Sequence, residues 1–151
     1  MTRILFVCHG NICRSPMAEF ILKDLVHKIG KDEDFFIASA ATSSEEICGG
    51  VGNPIYPPAQ RELARHSVPF DDHRATKLKS SDYAKYDFIL CMDSANVANT
   101  KRIFKGDPEG KVTKLLGTQD ISDPWYSGDF STAFEEILQG CKALLQKLMA
   151  K

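Results

Sequence analysis

Short apolar runs alternate with amphipathic stretches along this chain, and the alternation predicts strands and helices in turn. The apolar runs predict four strands, at residues 3–7, 35–41, 87–92 and 112–116. Apolar positions at helical spacing predict helices at residues 17–29, 58–66, 80–85 and 96–104, and a last helix that begins with a Thr132–Glu135 capping box. Apolar strands joined by helices indicate right-handed βαβ units in a parallel sheet.

Two segments lack a regular pattern and are predicted to be loops. Residues 43–58 are rich in glycine and proline, and residues 120–128 are small and polar apart from one aromatic pair. The loops after Val7, Ala41 and Leu116 all follow strands of the predicted sheet. Ligands of such sheets bind beyond the carboxyl ends of the strands, so these three loops are expected to form one pocket.

Composition narrows the class of protein. The chain has 151 residues, 43% hydrophobic and 26% charged, with a net charge of −1, which predicts one domain over residues 1–151. This charge gives no reason to expect nucleic acid or a membrane as partner, and no apolar run reaches the roughly 20 residues of a membrane span. The first strand begins at once, which predicts no signal peptide. Five cysteines without C-x-x-C pairs predict reduced thiols and a cytoplasmic location.

The first strand runs directly into residues 8–15 (CHGNICRS), ahead of the first helix. Such a loop binds anions, because backbone N–H groups converge there and the helix dipole adds positive charge. Cysteine and arginine at this spacing are a weak motif alone, but here Gly10 adds backbone freedom to a strand-to-helix turn. A Cys8 thiolate is a nucleophile, and the fork of Arg14 matches two phosphoryl oxygens. The segment therefore predicts a loop that accepts a phosphoryl group on sulfur.

Other residues of this loop have structural interpretations beside functional ones. Asn11 tolerates a left-handed backbone and is expected to support the loop, whereas His9 is expected to contribute its N–H more than its ring. Ser15 is equally compatible with a helix cap and with a hydroxyl bond to Cys8. Cys13 either packs or forms a disulfide with Cys8 on oxidation, which predicts a redox-sensitive site.

Transfer of a phosphoryl group to sulfur needs an acid that protonates the leaving oxygen. Asp123 is the best-placed candidate, although Asp-Pro also opens ordinary turns. Trp125, the only tryptophan, and Tyr126 follow it in a segment without periodicity. Core aromatic residues normally lie in periodic segments, so this pair is interpreted as a wall for a planar aryl substrate.

Residues 8–15 together with residues 123–126 (DPWY) resemble the low-molecular-weight protein tyrosine phosphatase family. The resemblance covers essentially the whole chain and includes residues 39–42 (SAAT) and 91–93 (CMD). It implies an α/β fold of the flavodoxin-like type, a doubly wound four-stranded parallel sheet with helices on both faces.

The resemblance also implies roles, carried over by position. Cys8 corresponds to the nucleophile, Arg14 to the phosphate clamp and Asp123 to the general acid. Other positions correspond to a network that holds the loop (Asn11, Ser15, Ser39 and His66) and to the pocket rim (Ile12, Ile47, Trp125 and Tyr126). The chain departs from the family in Ala41, where glycine is usual, in Ile47, where many members carry an aromatic residue, and in residues 55–58 (IYPP), which lack an acidic and basic pair. These departures bear on substrate preference.

The expected function is hydrolysis of phosphotyrosine and aryl phosphate monoesters through a cysteinyl phosphate, without metal or cofactor. The expected enzyme is a monomer that acts on phosphotyrosine-containing proteins and holds inorganic phosphate or another oxyanion in the loop. An arsenate reductase shares this fold and loop but needs a relay of further cysteines, of which only Cys91 lies near. A phosphoarginine phosphatase of the same family carries threonine where Ile12 stands. A silent phosphate-binding module, the third alternative, needs neither the thiol nor the acid.

Overall fold

The computed structural model describes residues 1–150. Its strands are β1 (Thr2–Cys8), β2 (Phe35–Ala41), β3 (Ile47–Cys48), β4 (Val51–Gly52), β5 (Phe88–Cys91) and β6 (Val112–Lys114). Its helices are α1 (Arg14–Lys28), α2 (Pro57–Arg65), α3 (Asp82–Lys85), α4 (Ser94–Phe104), α5 (Pro124–Ser127) and α6 (Phe130–Met149), with a short 3₁₀ turn at Asp32–Asp34. No helix within residues 1–150 combines the length and the apolar content needed to cross a membrane.

Four strands form a parallel sheet in the order β2-β1-β5-β6. The chain leaves β1 for β2 on one side and returns to β5 and β6 on the other, so the topology switches direction between β1 and β5. The predicted doubly wound, flavodoxin-like α/β fold is therefore confirmed. In this class the switch point is where ligands bind, and Cys8 at the end of β1 lies there.

Alternating residues of β1 enter two different cores. Ile4, Phe6 and Cys8 pack with residues of α1, α2 and α6 on one face of the sheet. Leu5 and Val7 pack on the other face, where α3 and α4 supply partly buried side chains. The strand is apolar throughout because both of its faces are covered, and the predicted helices on both faces are confirmed.

Both predicted loops contain short regular elements. The segment 43–58 includes the antiparallel hairpin of β3 and β4, whose tip is Gly49-Gly50, and it ends where α2 begins at Pro57. The segment 120–128 includes the single turn α5, which starts directly after Asp123. Two-residue strands and a four-residue helix are too short to leave a periodic pattern in the sequence.

The predicted capping box of the last helix is wrong. The N-cap of α6 is Asp129, whose carboxylate accepts hydrogen bonds from Thr132 N at 2.9 Å and from Thr132 Oγ1 at 2.6 Å. Thr132 therefore lies inside the first turn. An aspartate is as good a cap as a threonine, and the acceptor that lies outside the helix takes the role.

Candidate active site

Cys8 lies at the end of β1, where the loop 8–15 begins, and its side chain is buried. Two donors reach its sulfur. Asn11 N donates to Cys8 Sγ at 3.2 Å, and Ser15 Oγ lies 2.9 Å from the same atom. The loop then enters α1, whose first N–H groups have no acceptor within the helix. The sulfur therefore lies among donors, which is the environment that a thiolate and an incoming anion both need.

Asn11 has a left-handed backbone with φ 59° and is fully buried. Its side-chain orientation is fixed by Thr76 N, which donates to Asn11 Oδ1 at 3.0 Å. Asn11 Nδ2 consequently points the other way and donates to Ser15 Oγ at 2.7 Å and to Ser39 Oγ at 3.0 Å. Because Ser15 Oγ already accepts from Asn11, its own proton is directed to Cys8 Sγ. Of the two roles left open for Ser15, the structure shows the contact with Cys8, and Ser15 is not the helix cap.

The hydrogen-bond chain continues away from the sulfur. Ser39 Oγ, which accepts from Asn11, donates to Glu19 Oε1 at 2.6 Å. His73 Nε2 lies 3.0 Å from Asn11 Oδ1, and His73 Nδ1 lies 3.6 Å from Glu19 Oε1. Since Asn11 Oδ1 can only accept, Nε2 of His73 must carry a proton. Burial lowers the pKa of His73 from its ordinary value, and the carboxylate of Glu19 opposes that shift.

Arg14 is the first residue of α1 and is almost fully buried. Its Nη1 donates to Asp93 Oδ2 at 2.9 Å and to the carbonyl oxygen of Ile121, also at 2.9 Å. Its Nη2 lies 3.4 Å from Asp123 Oδ2, which is the loosest of the three contacts. Asp93 and the Ile121 carbonyl therefore hold one side of the guanidinium, and the looser side is the one able to exchange a carboxylate for a phosphoryl oxygen.

Asp123 is the N-cap of α5, and its Oδ1 accepts from Trp125 N at 3.1 Å. Its side chain is about one-third exposed. The carboxylate is thus held by one backbone donor while its other oxygen faces Arg14. Helix α5 begins at this cap and contains the aromatic pair, so the acid and both aromatic side chains line the same cavity.

One cavity of about 450 Å³ is lined by Cys8, Arg14 and Asp123 together with Ile12, Trp125 and Tyr126. Ile12 is 7% exposed, whereas Trp125 and Tyr126 are 52% and 86% exposed. The tryptophan rests on Tyr56, with ring centroids 5.0 Å apart, and Tyr56 rests on Phe130 at 6.1 Å. Trp125 is therefore backed by a packed aromatic row, which suits it to bind a flat ring at the cavity mouth.

Cys13, the second thiol of the loop, is buried and lines the same cavity. Burial, followed by the negative charges of Cys8 and Asp123, raises the pKa of Cys13 far above the ordinary value. Cys13 is therefore a protonated thiol at neutral pH. The two thiols of this loop differ in environment, and only Cys8 has donors directed at its sulfur.

Comparison with known proteins identifies the family of this chain. The sequence model of the family "Low molecular weight phosphotyrosine protein phosphatase" matches residues 3–151. The chain belongs to the low molecular weight phosphotyrosine protein phosphatase family. The human protein of that name is 38% identical over 153 residues, covering 95% of this chain and 94% of its own.

Solved structures of this phosphatase family have the same fold. The low molecular weight protein tyrosine phosphatase SP-PTP of Streptococcus pyogenes matches with a TM-score of 0.90 at 35% identity, covering 100% of this chain and 95% of its own. Wzb of Vibrio vulnificus, solved in complex with benzylphosphonate, matches with a TM-score of 0.82 at 28% identity, covering 97% and 98%.

Two residues that the resemblance to the phosphatase family implied are placed elsewhere. His66 does not belong to the network of the loop: it bonds Glu62 Oε2 at 2.8 Å and stacks on Phe134 with centroids 3.8 Å apart, so it joins α2 to α6. The histidine that reaches Asn11 is His73. Ile47 does not line the cavity, because the hairpin turns its side chain into a small apolar cluster with Ile12.

Gly10 and His9 of the loop 8–15 differ from what the sequence predicts. Gly10 does not have a positive φ; its small size matters instead, because a Cβ there would lie 3.3 Å from Glu46 Cγ. The ring of His9 is engaged as well, since its Nε2 lies 3.0 Å from Glu45 Oε2. Sequence reasoning missed Asp93, Glu19, His73 and Tyr56 as parts of the site. For Asp93, its position at the end of a predicted strand was a usable signal.

Proposed function

We propose that the chain acts as one catalytic domain that hydrolyses phosphotyrosine and aryl phosphate monoesters, through a phosphoryl group carried on Cys8. The observation that carries this proposal is that a buried thiol, a clamped arginine and a capping aspartate line one cavity with an aromatic mouth. The names of the relatives and the benzylphosphonate bound by the Vibrio vulnificus protein support the same chemistry. Benzylphosphonate combines an aromatic ring with a phosphoryl-like head.

In the first step the Cys8 thiolate attacks phosphorus, and the bond between phosphorus and the phenolic oxygen breaks. Asp123, in its protonated form, gives its proton to the leaving oxygen. Arg14 and the backbone N–H groups of the loop stabilise the charge on the equatorial oxygens. Arg14 exchanges its long contact with Asp123 for the phosphoryl group, which frees the acid to act.

In the second step Asp123, now a carboxylate, takes a proton from water, and the water oxygen attacks phosphorus. The bond from phosphorus to sulfur breaks, inorganic phosphate is released and Cys8 returns to the thiolate. Ser15 Oγ, 2.9 Å from the sulfur, stabilises the thiolate as it leaves. We propose that neither step needs a metal, because the fixed donors and Arg14 supply the positive charge.

The alternatives fit the arrangement less well. An arsenate reductase needs a mobile second thiol, but Cys91 is fully buried and lies 3.6 Å from Thr100 Oγ1. Burial raises the pKa of Cys91 to about 12, which makes it a poor nucleophile. A phosphoarginine substrate would place a polar guanidino group against Ile12. A silent binding module needs neither a thiol nor an acid in the cavity, whereas Cys8 and Asp123 both line it.

The proposal is tested by assaying phosphotyrosine, phosphoserine and phosphoarginine peptides side by side in the presence of a chelator. We expect turnover of the phosphotyrosine peptide, none by Cys8→Ser, and retention of vanadate binding by Cys8→Ser because the donors remain. Arg14→Ala is expected to lose both turnover and vanadate binding. Cys48→Ser is the matched control, since Cys48 is an exposed cysteine of the hairpin. Preference for phosphoserine or phosphoarginine, or loss of wild-type activity with the chelator, would overturn the proposal.

A further inference from the structure

One wall of the active-site cavity is formed by two consecutive glutamates of the segment between β2 and β3. Glu45 and Glu46 line the cavity beside the loop residues His9 and Gly10. The side chain of Glu45 is 67% exposed, and its only ionic contact within residues 1–150 is His9 Nε2 at 3.0 Å. Glu45 therefore lies where the cavity opens to solvent, and Glu46 beside it is partly buried.

Glu46 is held in position by contacts that do not involve a bound phosphate. Its Oε1 accepts from Asn53 Nδ2 at 2.9 Å, and its carbonyl oxygen accepts from Asn53 N at 2.8 Å. The Cγ atom of Glu46 lies close to Gly10: a Cβ added to Gly10 would be 3.3 Å from it. The hairpin thus fixes this carboxylate above the phosphate-binding loop before any substrate arrives.

The charges of this wall are not balanced by the cations of the site. Among residues 1–150, Arg14 is the one Lys or Arg that lines the cavity, and it is already bound by Asp93 at 2.9 Å and Asp123 at 3.4 Å. His9 supplies a positive charge only when it is protonated. Once the phosphoryl group has engaged Arg14, Glu45 and Glu46 remain as unpaired negative charge at the mouth.

We infer that Glu45 and Glu46 form a specificity wall that selects phosphotyrosine segments flanked by lysine or arginine. The inference rests on the proposed function, because it names the class of peptide that the same cavity takes. A basic side chain next to the phosphotyrosine pairs with the wall, whereas an acidic one is repelled by it. The same wall opposes binding of small aryl phosphate dianions, which bring negative charge and no compensating cation.

The effect is bounded by what exposed ion pairs contribute. A single pair between exposed side chains changes an equilibrium by about 1.5- to 5-fold, and two pairs change it by up to about 25-fold. Because the wall is exposed, salt screens it, and the preference should shrink as ionic strength rises above about 0.15 M. The residues of α4 that line the cavity, Ala95, Asn96 and Asn99, are uncharged.

The test compares kcat/KM for four phosphotyrosine peptides of equal length: neutral, arginine on the amino side, arginine on the carboxyl side, and glutamate on both sides. Wild-type protein should prefer at least one arginine peptide over the neutral one and should disfavour the glutamate peptide. The double variant Glu45→Gln/Glu46→Gln should lose that order. Glutamine at 46 retains an amide oxygen for Asn53. Glu33→Gln is the control, since Glu33 is an exposed glutamate outside the cavity lining.

A second measurement separates charge selection from damage to the fold. The double variant should have a lower KM for a small aryl phosphate and a higher KM for the arginine peptide, whereas a structural defect would raise both. Equal hydrolysis of all four peptides by the wild type, or an arginine preference that survives in the double variant, would overturn the inference and leave the proposed function intact. Failure to hydrolyse any phosphotyrosine peptide would instead overturn the proposed function.

Discussion

Arg14 Nη1 lies 2.9 Å from Asp93 Oδ2, and the same carboxylate begins helix α4. Asp93 Oδ1 accepts from Asn96 N at 2.8 Å, and Asn96 returns a side-chain contact to Asp93 N. One oxygen of Asp93 therefore caps the helix that follows β5, while the other orients the guanidinium of Arg14 at the start of α1. The position of the guanidinium depends on the sheet, because α1 and α4 follow the neighbouring strands β1 and β5.

Replacing Asp93 with asparagine should weaken phosphate binding and turnover while the helix cap is kept. Asparagine caps a helix as well as aspartate, but it removes the charge that holds Arg14. A hydrogen bond to a charged group contributes about 1.5–3 kcal/mol, so kcat/KM for an aryl phosphate should fall by about 10- to 150-fold. Steady-state kinetics and vanadate inhibition measure the two effects.

Asp129→Asn is the matched control for that variant. Asp129 is also an N-cap, of helix α6, and it lies outside the cavity lining. Its replacement should leave kcat/KM within about twofold of wild type. An Asp93→Asn variant as active as Asp129→Asn would show that the contact between Asp93 and Arg14 does not orient the clamp.

His73 should make the stability of the protein depend on pH below neutrality. Burial lowers the pKa of His73 from 6.5, so the unfolded chain binds the proton first as pH falls. The stabilising contribution of the neutral ring is complete above pH 6.5 and is lost as pH falls through the folded pKa. The free energy of unfolding should therefore decrease more steeply in the wild type than in His73→Gln as pH drops from neutrality.

His27 offers a control of opposite sign. Its hydrogen bond with Asp32 raises the pKa of His27, so its contribution is complete below pH 6.5 and is lost as pH rises through the folded pKa. Chemical denaturation of the wild type, His73→Gln and His27→Gln across this range checks both signs. Parallel pH curves for wild type and His73→Gln would contradict a lowered pKa of His73 in the folded protein.

Cys13 should protect Cys8 from irreversible oxidation by forming a disulfide with it, and this disulfide should form slowly at neutral pH. Peroxide takes the Cys8 thiolate to sulfenic acid, and the Cys13 sulfur then displaces the hydroxyl as water to form a disulfide. Since burial raises the pKa of Cys13, disulfide formation should accelerate with rising pH. Mass mapping of oxidised protein at several pH values measures this rate.

In the same experiment Cys13→Ser should recover less activity on reduction than the wild type, because its sulfenic acid is further oxidised. Cys48→Ser, at the exposed cysteine, should recover as the wild type does. A disulfide between Cys8 and Cys91 would contradict the prediction, and arsenate reduction by that form would favour the reductase alternative.

Much of the site was predictable because its residues are close in sequence. Cys8, Arg14 and the residues between them form one strand-to-helix turn, and the chemistry of a thiol at a helix N-terminus follows from local pattern alone. Asp123 was marked by its place before an aromatic pair. The four sheet strands were predictable because buried parallel strands read as continuous apolar runs.

The rest depends on contacts between distant segments. His66 is the C-cap of α2 and His73 lies in the irregular segment that follows. Only the folded chain shows that His66 stacks on Phe134 while His73 reaches Asn11. The resemblance places Ile47 at the pocket rim, but its side chain packs towards Ile12. This orientation is set by a hairpin that is too short to leave a periodic pattern in the sequence. Asp93 directly follows a predicted strand, but its contact with Arg14 requires the pairing of β1 with β5.

The central claim, a phosphoryl group carried on Cys8, is tested most directly by trapping it in Asp123→Asn. With p-nitrophenyl phosphate the first step needs little acid, since nitrophenolate leaves without a proton, whereas the second step needs the carboxylate as base. Loss of general acid–base catalysis slows a step by about 10²–10⁴-fold, so the adduct should accumulate. Acid quench and peptide mass mapping should then find phosphate on Cys8, after a burst of nitrophenolate equal to the enzyme present. Continued nitrophenolate release without an adduct on Cys8, or with the phosphate on another residue, would contradict the account.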